Sequence, residues 1–104
     1  MLSFPVRAFP FFRPSDDEWD RNRWEEVDPA FYLTRAAWPD LKASHGVVVN
    51  TASLTALISP KNTRTLAHTT AKVGIIGMTR QLAMEGREHR IRANSISPGV
   101  IETN

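Results

Sequence analysis

Residues 47–53 read VVVNTAS. Three consecutive β-branched side chains with no polar alternation predict a short strand that expects cover on both faces, as in a parallel sheet. Gly46 precedes the run as a helix stop, and Asn50 to Ser53 fall at its C-terminal end, where open α/β sheets present ligand-binding residues. Downstream, Ala71, Ile75, Met78 and Leu82 recur at i, i+4, i+7 and i+11. That stripe has a period of 3.6 residues and predicts a helix over about 69–86, closed by Gly86. Residues 91–96, IRANSI, read as a second strand before Ser97-Pro98-Gly99. Strand, crossover helix and strand make a right-handed βαβ unit. Residues 54–67 hold Pro60, Asn62 and several threonines and read as a loop.

Upstream, Ser15-Asp16-Asp17-Glu18 forms a capping box: a serine N-cap, a glutamate three residues on and acidic side chains in the first turn. It predicts a helix that Pro29 interrupts, because proline lacks the amide donor and its ring clashes one turn back. A second helix is expected over about 29–43, with Trp38-Pro39 kinking or loosening its last turn. The opening MLSFPVRAFPFFRP is apolar, but Pro5, Pro10 and Pro14 break it. No basic segment precedes it and no small-residue cleavage site follows, so residues 1–14 read as an irregular lead-in rather than a signal peptide. Its phenylalanines are suited to covering another piece of protein.

The 104 residues are 41% hydrophobic and 23% charged, the balance of a folded domain or part of one. Thirteen basic and 11 acidic residues leave a net charge of +2. No long basic run is present, so nucleic acid is not an expected partner. The chain has no cysteine, which excludes disulfides and thiolate chemistry and points to a reducing cytoplasm. His45, His68 and His89 form no i,i+4 pair, so no metal site is expected. No segment reaches the roughly 18 apolar residues of a membrane span.

Four local patterns occur in one order: Glu18-Trp19-Asp20, Val49-Asn50-Thr51-Ala52-Ser53, His68-x-x-x-Lys72, and Ser97-Pro98-Gly99-Val100-Ile101-Glu102-Thr103. Together they resemble the short-chain dehydrogenase/reductase superfamily over residues 15–104. The resemblance implies an incomplete, Rossmann-like three-layer α/β fold: a parallel sheet with crossover helices. It also implies an NAD- or NADP-dependent oxidoreductase acting on a small alcohol or ketone. Ser53 matches the serine that hydrogen-bonds the substrate oxygen. Lys72 matches the lysine that binds the nicotinamide ribose and assists the neighbouring acid/base. Pro98 and Gly99 match the turn beside the nicotinamide, and Ile101 and Thr103 the positions that hold its carboxamide.

Three departures accompany the resemblance. His68 stands where the family has tyrosine. A free imidazole titrates near about 6.5 and a phenol near about 10, so histidine can exchange a proton near neutral pH without the lysine's help. Glu26 falls where the family has an asparagine that anchors a water, and it reads as solvent-facing. No glycine-rich, pyrophosphate-binding turn follows an N-terminal strand: the five glycines are Gly46, Gly74, Gly77, Gly86 and Gly99. Residues 15–104 therefore read as a partial domain without the N-terminal nucleotide-binding half and the C-terminal end. Two functions stand side by side: the oxidoreductase, and a truncated, non-catalytic remnant or interaction module. The 69–86 stripe likewise reads either as core or as an interface between helices of two subunits, which would make a homo-oligomer.

Overall fold

The computed structural model describes residues 14–53 and 66–98. In chain order they form α1 (Asp16–Asn22), a π-helical turn (Arg23–Val27), α2 (Asp28–Ser44), β1 (Val47–Thr51), α3 (Leu66–Gly86), a 3-10 turn (Arg87–His89) and β2 (Arg92–Ile96). The two strands run parallel, with Val47 opposite Arg92 and Thr51 opposite Ile96. The ladder continues past the strand ends, where the Ala52 amide donates to the Ile96 carbonyl at 2.7 Å. With α3 as the crossover, the expected βαβ unit is present. Residues 1–13 of the expected lead-in (1–14) and 54–65 of the expected loop (54–67) lie outside the described residues; Leu66 and Ala67, expected in that loop, already belong to α3.

Ser15 caps α1 as expected, its hydroxyl accepting from the Glu18 amide at 3.1 Å. Pro29, by contrast, does not break the helix. The Asp28 amide donates to the Arg23 carbonyl five residues back, a π turn that widens the ladder by one residue. A fresh helix then starts at Asp28, so Pro29 lies in a first turn, where a missing amide costs nothing. Pro39 is likewise carried inside α2, which runs on to Ser44. The αL residue that ends α2 is His45 (φ 55°) rather than Gly46. Its ring nitrogen Nδ1 lies 3.0 Å from the His89 carbonyl. Gly46 answers a different need, because a Cβ there would lie 2.7 Å from Leu41 Cδ2.

Among the described residues the core is small: Ala52, Ala67, Ala71, Ile75 and Ile91 are its buried apolar residues, with Thr79 beside them. The buried stripe of α3 is thus Ala67, Ala71, Ile75 and Thr79, while Met78 and Leu82 are only half-buried. Thr79 is satisfied internally, donating to the Ile75 carbonyl (2.7 Å) and accepting from Asn50 Nδ2 (3.0 Å). This polar link ties the end of β1 to the middle of α3.

The valine run departs from its expectation of cover on both faces. Exposure alternates along both strands, with Val48, Asn50, Ala93 and Ser95 turned inward. On the other face Val47, Val49 and Ile96 are 45, 58 and 54% exposed. The described residues supply one helical layer, so one face of the sheet stays bare. The fold is an incomplete α/β arrangement.

Candidate active site

The C-terminal end of β1 and the first turns of α3 meet beside the π turn. Lys72 projects from the second turn of α3, and its ammonium donates to the Thr51 carbonyl at 3.2 Å. The same Nζ pairs with Glu26 Oε2 at 2.5 Å. Lys72 retains 12% of its side-chain exposure and Glu26 27%. An ammonium so far withdrawn from water needs partners, and here a carboxylate and a carbonyl provide them. Glu26 is therefore not the solvent-facing side chain expected from the sequence. It comes from the π turn, far from Lys72 along the chain, and no local pattern signals the pairing.

His68 lies half-buried one turn before Lys72, and the i,i+4 spacing puts both on one side of α3. Ser53 follows the end of β1, half-buried and two residues beyond the carbonyl that Lys72 holds. Pro98 is exposed just after β2. β1 and β2 are parallel neighbours, so Ser53 and Pro98 extend from the same edge of the sheet. Gly99, Ile101 and Thr103 lie outside the described residues. Beneath the π turn, Trp19, Arg23, Val27, Ala67, Thr70 and Ala71 line a recess of about 110 Å³. Contacts between π turn and α3 thus place Glu26 over Lys72.

Such a site can hold a hydroxyl-bearing ligand at the sheet's C-terminal edge, with an ammonium donor, a carboxylate acceptor, a serine hydroxyl and an imidazole within neighbouring turns. Among the described residues no three His, Asp or Glu side chains gather to hold a metal ion. No helix among them is long and apolar enough to cross a membrane.

Residues 5–104 match the family described as Enoyl-(Acyl carrier protein) reductase. The chain is 36% identical over 87 residues to trans-4-hydroxycyclohexanecarboxylate dehydrogenase of Sinomonas cyclohexanicum, covering 84% of this chain and 33% of that protein. Its fold is similar to that of a protein of Thermus thermophilus (TM-score 0.80, 33% identity, 98% of this chain and 41% of that one). It is also similar to a short chain dehydrogenase of Leptospira borgpetersenii solved with NAD+ bound (TM-score 0.77, 26% identity, 88% and 38%). The chain thus spans well under half the length of these relatives.

Proposed function

Because the chain belongs to the short-chain dehydrogenase/reductase family, we propose that it carries the catalytic portion of an NAD- or NADP-dependent oxidoreductase that interconverts an alcohol and a ketone. The observation that carries this reading is the Lys72 ammonium held at the C-terminal end of β1, one helical turn from His68. Lys72 suits the nicotinamide end of the cofactor as donor to ribose hydroxyls, and Pro98, Gly99, Ile101 and Thr103 match by resemblance the positions that serve the ring and its carboxamide. They do not suit its pyrophosphate. Gly46 and Gly86 are occupied by packing against Leu41 and Ile91, and Gly74 and Gly77 lie inside α3, so no described glycine opens a phosphate-binding helix.

The nicotinamide, when bound, supplies or accepts the hydride. Ser53 orients the substrate oxygen through its hydroxyl. His68 holds the proton that this oxygen gains on reduction and loses on oxidation, through one imidazole nitrogen. Lys72 would hold the ribose hydroxyls one helical turn from His68. The cysteine-free sequence is in keeping with a reducing, cytoplasmic setting. A homo-oligomer is favoured by the groove between α2 and α3, about 520 Å³, in which Phe31, Trp38 and Pro39 face Met78 and Leu82.

The test is a chimera joining this chain to the nucleotide-binding half of the T. thermophilus relative, assayed with both cofactors over a panel of alcohols. Turnover is expected, and Lys72→Ala should lower kcat/KM by a factor on the order of 100. His68→Tyr should retain or raise it. Unchanged turnover in Lys72→Ala would sink the assignment.

A further inference from the structure

We propose that Glu26 is a positioning residue that makes Lys72 half of a neutral pair, so that the position recognises an uncharged hydroxyl group and turns anions away. The inference rests on the dehydrogenase reading above and adds to it a residue that positions Lys72 and the exclusion of anions. Lys72 has its ammonium between two oxygens on separate elements, Glu26 Oε2 on the π turn and the Thr51 carbonyl on β1. Both pair members are largely withdrawn from solvent, where salt screens an ion pair far less than at the surface. Two anchors hold the ammonium at one place above the sheet edge instead of leaving it to sweep through the rotamers of a long side chain.

The charge consequence follows. A bare ammonium here would attract phosphates and carboxylates as readily as hydroxyls. With Glu26 in contact, an approaching anion meets a carboxylate beside the cation, and the repulsion offsets part of the attraction. A hydroxyl suffers no such penalty, because it can accept from Lys72 and donate to Glu26. The nearby ionic pairs of Arg23 with Asp20 and with Asp28 lie on the exposed side of the π turn and leave Glu26 to Lys72.

Two measurements on the 104-residue chain test this, and neither involves turnover. Carbodiimide coupling of the unaltered chain, followed by peptide mass mapping, should yield an amide between Glu26 and Lys72. Its absence would overturn the pairing without any variant having to fold. Acylation of Lys72, with exposed Lys42 as internal reference, should be slow in the unaltered chain and indifferent to excess inorganic phosphate. In Glu26→Gln the labelling should rise severalfold and become protectable by phosphate, while Glu26→Asp should restore slow labelling and phosphate indifference. An unchanged ratio in Glu26→Gln, phosphate protection of the unaltered chain, or faster labelling that phosphate does not suppress would each contradict the proposal. Failure of the dehydrogenase reading would show instead as an inactive chimera, with these two results unaffected.

Discussion

The two faces of the β1–β2 sheet differ in chemistry as much as in burial. Toward α3 point Val48, Ala93, Asn50 and Ser95, and Asn50 is tied through its amide to Thr79. Away from it point Val47, Val49 and Ile96, all about half exposed or more, together with Thr51, Arg92 and Asn94. Half of the side chains are apolar on either face, but the bare face carries the larger ones, two valines and an isoleucine against a valine and an alanine. A strand written for a two-sided environment has received one side of it. Exposed apolar area of this kind favours association, as do strand edges left open.

The largest expected effect of that imbalance is on association. Light scattering should give the 104-residue chain a mass above that of a monomer, because two strands with one bare face are marginal in water. Placing charge on the bare face with Val47→Lys and Val49→Lys should shift it toward monomer. A monodisperse monomer of the unaltered chain, with a sharp and reversible melt, would break the comparison.

In that charged background the two faces can be weighed against each other. Ile75, 2% exposed at the centre of the covered side, should lose about 2–5 kcal/mol on mutation to alanine, the usual cost of a core cavity. Ile96→Thr, on the bare face, should stay within roughly 0.5 kcal/mol. Urea midpoints at constant m-value would show the difference. Equal losses at both positions would mean that the bare face is covered after all.

Smaller effects are expected from the glycines of α3. A Cβ at Gly77 would meet nothing within 4 Å, whereas one at Gly86 would lie 2.8 Å from Ile91 Cβ. Gly77→Ala should therefore stabilise the chain by about 0.5–1 kcal/mol, and Gly86→Ala should destabilise it. Thermal unfolding of both variants checks the pair of signs. Stabilisation by Gly86→Ala would show that the contact with Ile91 is loose.

The parts legible in the sequence are those with local signatures. The capping box at Ser15, the β-branched run at 47–49 and the helical period through Ala71 and Ile75 each depend on near neighbours, and each lies where its spacing predicts. Pro29 misleads because the rule that proline ends a helix has an escape: one π turn resets the ladder and brings the proline into a first turn. Glu26 and Lys72 belong to elements separated by α2 and β1, and Asn50 and Thr79 are 29 residues apart. Neither pairing leaves a periodic trace, so each is known only from the folded chain. Of the candidate site, the positions of Lys72, His68 and Glu26 follow from the resemblance, and the ion pair between Glu26 and Lys72 does not.

The proposed dehydrogenase site places Lys72 and His68 at the C-terminal edge of the sheet, while no glycine among the described residues opens a phosphate-binding helix. Titration with NADH and NADPH, followed by nucleotide fluorescence, tests it most directly. The chain alone should show no binding below about 1 mM, because no glycine among the described residues opens a helix that could receive the pyrophosphate, whereas the chimera should bind at micromolar concentrations. Micromolar affinity in the isolated chain would contradict the account.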